Sequence, residues 1–268
     1  MKQFKDQIGT IHFFTQIPSR IVSLVPSQTE TLVDLGLEDA IVGITKFCVH
    51  PFHLKSTKTI IGGTKQVNVA KIRALQPDII IANKEENTLA IVLELQEICP
   101  VWVTDVHTIE DSLRVIQDFG TLFNRRTDAQ KWIEKITFGL TDFNNFISKK
   151  SSRKAAYFIW ANPYMVAAGQ TYINEILKLN KFENIYDSNP KYEGRYPEVI
   201  IQKMRIQGDP ELLLLSSEPF PFRDEHAFEL GRHTHHARTV FVDGEYFSWH
   251  GTRIVKALEY FKVLHNSI

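Results

Sequence analysis

Short unbroken runs of Val, Ile and Leu recur through the first 126 residues, and each is followed by a stretch whose apolar positions return every three or four residues. IVSLV (21–25), AIVGIT (40–45), DIIIAN (78–83) and PVWVTD (100–105) read as strands. The intervening segments read as helices with recognisable ends. Ser27 with Glu30 has capping-box spacing and Gly36 stops that helix; Asn68 caps VAKIRALQ and Pro77 ends it; Thr108 with Asp111 opens IEDSLRVIQDFGTLF. Continuous β-branched runs, in place of alternation, mean strands covered on both faces. The expected first lobe is therefore a parallel, doubly wound sheet.

A different rhythm follows. Thr127 and Gln130 make another capping box, and Trp132, Ile136, Leu140, Phe143 and Ile147 then form one apolar stripe. Such a stripe predicts a single helix of about 20 residues, roughly 30 Å long. Polar SKKSSRK (148–154) ends it, and the alternation resumes. AAYFIW, YMVAA, LLLLSS and TVFVDG are the next candidate strands; YINEILKL, PEVIIQKMRI, RDEHAFEL and HGTRIVKALEYFKVL are the candidate helices. The expected organisation is an N-terminal α/β lobe over 1–126, a connecting helix over 127–150 and a C-terminal α/β lobe over 151–268. In this α/β reading, two Rossmann-like lobes with mostly parallel sheets are joined by a long rigid helix.

Composition narrows the class. Apolar residues make up 43% and charged residues 23% of the 268, ordinary globular values. Lys+Arg and Asp+Glu both number 31, so no net field draws the chain to nucleic acid or an anionic membrane. Two cysteines are no disulfide framework. No window reaches the roughly 18 apolar residues of a membrane span, so no membrane insertion is expected. The opening MKQFKDQIGTIHFF has neither a signal-peptide apolar run nor a lipobox-like cysteine, which makes a cytoplasmic location the expectation. A start codon assigned too far downstream would instead make the protein periplasmic.

In open parallel sheets, ligands bind beyond the carboxyl ends of the strands. Ser27 and Gln28 follow the first strand, and KFCVHPFH (46–53) follows the second. Asn83 to Glu86, Trp160 with Asn162, Tyr196, Phe220 with Phe222, and DGEYFSWHGTR with Tyr246, Phe247, Trp249 and His250 stand at later ends. No G-x-S-x-G, P-loop or H-E-x-x-H is present. A rim rich in aromatics and poor in titratable pairs suits a large flat ligand better than a bond-breaking step. Cys48, His50 and His53 invite a metal reading, but a structural zinc site takes four donors, usually from separated pairs. A three-ligand site, a single contact from His50 or Cys48 to a bound chelate, and a rim with no ligand role all remain open. GRHTHHART, with His233, His235 and His236, and His226 before it, reads as a solvated segment or a weak metal binder.

P-x-R-I-V-S-L-x-P-S-x-T-E (18–30) after the opening hairpin, GGT-x(3)-N (62–68), LQPDIIIA (75–82), ANP (161–163), ENIY (183–186) and the long linking helix occur in one order across nearly the whole chain. In these the chain resembles the class III substrate-binding proteins of ABC importers, the helical backbone metal receptors, and most of all their vitamin B12-binding branch. The resemblance implies two α/β lobes with a ligand between them. It places corrinoid-holding aromatics on Phe47, Tyr196 and the Tyr246–Phe247 pair, with Ser27 and Gln28 beside them and Trp160 close to another. It also implies an acidic residue at the tip of each lobe for docking on an ABC permease. Those places fall near Ala70 and Lys203, a departure that makes permease docking doubtful on this reading. The resulting expectation is a non-enzymatic binder of cobalamin or another metal chelate, with no catalytic cofactor. The alternatives are an exported importer subunit for siderophore or haem iron, and an enzyme acting on a corrinoid or metal complex with His50, His250 and Glu86 as acid–base groups.

Overall fold

The computed structural model describes residues 1–188 and 194–268. The chain divides into two compact units: 1–137 with Trp249–Ile254, and 138–248 with 255–268.

The first unit opens with an antiparallel hairpin, β1 (Lys2–Lys5) and β2 (Ile11–Phe14). Then follow β3 (Ile21–Ser23), α1 (Pro26–Asp34), β4 (Ile41–Ile44), α2 (Leu54–Thr57), β5 (Thr59–Ile60), α3 (Val69–Ala74), β6 (Ile79–Asn83), α4 (Leu89–Gln96), β7 (Val101–Thr104), α5 (Ile109–Leu122) and α6 (Arg126–Ile147). All pairs among β3 to β7 are parallel, in the order β5-β4-β3-β6-β7. Val22, Leu24, Ile80, Ala82, Val101 and Val103 build one core with Ile72 of α3 and Val92 and Leu95 of α4. β7 would expose an unpaired edge. The hairpin covers it: the Val103 amide donates to Asp6 Oδ2 at 3.2 Å and the Asp105 amide to Gln7 Oε1 at 2.8 Å.

The second unit contains β8 (Arg153–Trp160), β9 (Met165–Val166), α7 (Tyr172–Leu179), β10 (Phe182–Asn184), α8 (Met204–Gln207), β11 (Leu212–Ser216), α9 (Asp224–Gly231), β12 (Arg238–Val242), α10 (Gly244–Ser248) and most of α11 (Ile254–Ser267). Its strand order is β10-β8-β11-β12, all parallel, with β9 antiparallel on β8. Ala156, Phe158, Leu213 and Leu215 face a core with Tyr164, Val166, Tyr186 and Met204.

α6 is one continuous helix that gives 126–137 to the first unit and 138–147 to the second. Ile136, Phe143 and Ile147 of its stripe are buried.

Local expectations changed in four places. Ser27 is not a cap: α1 begins at Pro26 after Val25, and Glu30 is bound elsewhere. α6 begins at Arg126, so Thr127 lies inside the helix. PEVIIQKMRI forms only a turn of 3-10 helix (Ile201–Lys203) and the short α8, because its apolar residues serve a loop packed on the second core. The expected C-terminal lobe, all of 151–268, loses Trp249–Ile254 to the first unit.

Candidate functional site

In the first sheet the chain winds outward from β3 through β4 to β5, then returns to the other side for β6 and β7. The order reverses between β3 and β6, and a ligand crevice is expected at their carboxyl ends. Ser27 and Gln28 stand in the first turn of α1, directly after β3. Gln28 is fully buried and its Nε2 donates to Thr104 Oγ1. Asn83 Nδ2 donates to the same oxygen at 3.0 Å, while Thr104 donates to the Ala82 carbonyl at 3.2 Å. Gln28 Oε1 is buried with no hydrogen-bond partner among the described residues. Asn83 Oδ1 accepts from the amides of Glu85 (2.9 Å) and Glu86 (3.3 Å), shaping the loop after β6. Burial raises the Glu86 carboxyl above the ordinary carboxylate range; Glu85 adds to this, and Lys65 and Thr64 oppose it.

KFCVHPFH is a surface loop. Phe47 is 48% exposed, lies over the backbone of Gly63 and carries Lys46 Nζ 5.0 Å from its ring centre. A Cβ on Gly63 would stand 3.1 Å from the Phe47 ring, so glycine allows that seat. The three suspected metal donors do not converge. Cys48 is buried against Thr29 Oγ1 (3.1 Å) and Thr45 Oγ1 (3.3 Å), His53 binds Glu38 at 2.7 Å, and the His50 ring meets Trp249 edge-on at 5.5 Å.

Trp249–Ile254 brings more of the expected residues to the same unit. His250 Nε2 lies 3.5 Å from Ser27 Oγ, and burial pushes its imidazole down to about 4. The Gly251 amide donates to Ser112 Oγ at 2.7 Å; a Cβ here would strike Thr31 Oγ1, and φ is +86°. Arg253 makes a two-pronged pair with Glu30 (2.7 and 3.2 Å) and lies 4.6 Å from the centre of the Trp249 ring.

In the second sheet the reversal falls between β8 and β11. Trp160 ends β8, and the segment after β11 supplies Phe220 and Phe222. These form a connected aromatic platform: Trp160 to Phe220 at 5.4 Å, Phe220 to Phe222 at 4.9 Å, and His226 against both at 5.2 and 5.6 Å. Trp160 is 40% exposed and the other three are half-buried. The sequence places Phe220 and Phe222 at a strand end, but His226 reads there only as a histidine of the candidate helix RDEHAFEL, grouped with the histidine-rich segment after it. Its offset of four from Phe222, with α9 starting between them, is the signal that joins them.

Tyr196 is half-buried. Tyr246 stacks on Tyr260 of α11 at 4.6 Å. Phe247 is not a ligand wall. It is completely buried, 5.0 Å from both Tyr157 and Phe261, because α10 turns it into the core under α11. Among the described residues no three His, Cys, Asp or Glu side chains gather as a metal site. Ala70 on α3 and Lys203 are both exposed.

An ABC transporter substrate-binding lipoprotein of Bacillus subtilis, YvrC, is 24% identical over 254 residues, covering 90% of this chain and 78% of YvrC. The periplasmic vitamin B12 binding protein BtuF of Vibrio cholerae superposes with a TM-score of 0.77 at 19% identity, over 94% of this chain and 98% of BtuF. A periplasmic haem-binding protein of Pseudomonas aeruginosa gives 0.77 at 18%, over 92% of each chain. The family model described as periplasmic binding protein matches residues 21–229, so the chain belongs to that family, as a substrate-binding protein of its class III.

Proposed function

We propose that this protein binds a corrinoid, or a closely related flat metal chelate, without transforming it. The observation that carries this is the aromatic platform of Trp160, Phe220, Phe222 and His226 at the strand-order reversal of the second sheet. Flat aromatic surfaces contribute area to a ring-shaped ligand at little entropic cost, and a few polar groups orient it. The first unit, taken by itself, carries the exposed Phe47 ring and the half-buried His50 at its strand ends, with Ser27, Gln28 and His250 as buried polar groups there. Similarity to proteins named for vitamin B12 and haem supports the same class. Titration with cyanocobalamin and with haemin, followed by absorbance and calorimetry, tests the reading. One-to-one binding with the chelate recovered unchanged is expected; absence of binding by either chelate, or turnover of one, refutes it.

Similarity to YvrC favours a second reading, in which the bound chelate is handed to an ABC importer. Co-purification of the protein with a membrane permease from its own host, dependent on chelate, would favour that reading. A protein recovered only from the cytosol, with chelate and no permease, would favour a binder uncoupled from import.

A further inference from the structure

Within the first unit, the hairpin that covers the edge of β7 leaves a cavity of about 320 Å³. Phe4 and Lys5 of β1, Trp102 of β7, and Arg114, Gln117 and Asp118 of α5 line it. The three α5 residues stand at i, i+3 and i+4, the spacing that puts side chains on one helix face. β7 is an outer strand of its sheet, so the cavity is separate from the strand-order reversal between β3 and β6. Its volume is at the lower end for a ligand pocket, and suits a small molecule better than a corrinoid or haem.

The polar groups around this cavity are not spent on one another. Among the described residues, the side chains of Lys5, Arg114, Gln117 and Asp118 make no hydrogen bond or salt bridge within the protein. Asp118 is half-buried, and burial raises its carboxyl to about 6, with Arg114 opposing and Asp6 adding to the rise. Asp6 itself is engaged: it accepts from the Thr10 and Val103 amides at 2.7 and 3.2 Å and lies 3.0 Å from His12 Nε2. Asp118 is therefore the anionic group left to meet a ligand, and a cationic donor is the partner that stabilises a half-buried carboxylate best. A ligand carrying only an ammonium would also meet Lys5 and Arg114 as like charges. A ligand carrying only a carboxylate would set a second anion beside Asp118. Both charges on one small molecule satisfy all three side chains. Trp102, 2% exposed, and the half-buried Phe4 supply an aromatic wall for an apolar remainder.

We infer that this cavity is a second binding site, for a free α-amino acid with an apolar side chain: the ligand's ammonium donates to Asp118, its carboxylate is taken by Arg114 and Lys5, and its side chain lies against Phe4 and Trp102. The probes are L-phenylalanine, 2-phenylethylamine and 3-phenylpropionate, which share a phenyl group and differ in which charges they carry. Calorimetry on the full chain should show L-phenylalanine binding one-to-one with a dissociation constant of roughly 1 mM or below, the range for a molecule this small. The amine and the acid should each bind at least roughly fivefold more weakly. The indole N–H resonance of Trp102, assigned through its contacts with His12, should move with L-phenylalanine. Asp118→Asn and Arg114→Met should each weaken L-phenylalanine roughly tenfold or more, as expected for the loss of a hydrogen bond to a charged group. Both variants should melt within a few degrees of wild type, because neither side chain holds another in place. No binding of L-phenylalanine by folded wild type at about ten times that concentration overturns the inference. So does a Trp102 resonance that stays in place, equal affinity for the amine or the acid, or unchanged affinity in either variant. Cyanocobalamin titration of the same variants should match wild type. Failure of cyanocobalamin and haemin to bind wild type would refute the proposed function and leave the L-phenylalanine result as it stands.

Discussion

The pair between Arg253 and Glu30 is the contact whose loss should be felt most. Both side chains are about 5% exposed or less, and both nitrogens of the guanidinium fork reach the carboxylate. Replacing Arg253 with Met keeps most of the volume and removes the positive charge. Glu30 is then left buried on α1 without its cation. Breaking a buried pair from one side costs about 3–5 kcal/mol, because the surviving charge stays desolvated. Arg253 also lies over the Trp249 ring, worth about another 1 kcal/mol where water is excluded, part of which Met packing keeps. A net loss of about 4 kcal/mol lowers the melting temperature of a chain this size by roughly 8–16 °C.

The assay is thermal melting by circular dichroism at pH 7, with Arg253→Met, Glu30→Leu and the double variant side by side. The double variant removes both charges, and apolar replacement of a whole buried pair is often neutral. It should therefore melt within a few degrees of wild type and well above Arg253→Met. A loss below about 1 kcal/mol in Arg253→Met would refute the reasoning, since the pair would then be effectively solvated. So would a double variant as unstable as the single one, which would mean that shape and not charge ties Trp249–Ile254 to α1.

Three further outcomes are expected. Phe47→Ala should weaken chelate binding by about 1 kcal/mol, or roughly fivefold, with little change in melting, while Phe247→Ala should cost about 3–5 kcal/mol of stability because that ring lies in the core; titration and melting of both variants separate the roles. Burial raises the Cys48 thiol and pushes Cys99 up to about 12, so at pH 8 only roughly one Cys99 in ten thousand is thiolate and neither cysteine should react with a thiol reagent until guanidinium unfolds the chain. Burial holds His250 and His265 at about 4, below the ordinary value near 6.5, so the native state binds fewer protons than the unfolded state in that window. Stability should be full above about pH 6.5 and fall as pH drops toward 4, and denaturant midpoints at several pH values should show a shallower fall in His265→Asn.

The parallel strands and the long helix were legible because burial on both faces writes continuous Val/Ile runs, and one-sided burial writes a stripe. The short strands β5 and β10 were not, since two or three residues carry no period. The site was legible only in part. Being at a strand end places Trp160 and Phe247 in the same category, and nothing local distinguishes a half-exposed Trp160 from a fully buried Phe247. What separates them is α11, which returns from distant sequence and covers Phe247 with Phe261. Glu30 likewise reads as half of a capping box until Arg253, 223 residues on, claims its carboxylate. Helix signals are local competitions that a buried long-range charge can win.

The two strand-order reversals carry different chemistry, and the difference follows from what comes after each strand. β3 runs into α1 within three residues, so the first reversal is lined by the opening turn of a helix and by Thr104 and Asn83, which anchor its amides. The groups fixed there are amide, hydroxyl and imidazole. β8 and β11 instead run into loops before their next elements; Trp160 closes β8, and the loop after β11 holds Phe220 and Phe222. Polar groups fixed by a helix start supply direction, because their geometry tolerates little adjustment. Aromatic rings on loops supply area, because stacking tolerates lateral shift. Substitutions of the polar groups at the first reversal should therefore change which chelate is accepted, whereas those in the second unit's platform should change affinity for all flat chelates alike. A set of Gln28→Leu and Phe220→Ala variants titrated with both cyanocobalamin and haemin distinguishes these outcomes, and equal loss for the two chelates in Gln28→Leu would sink the division of roles.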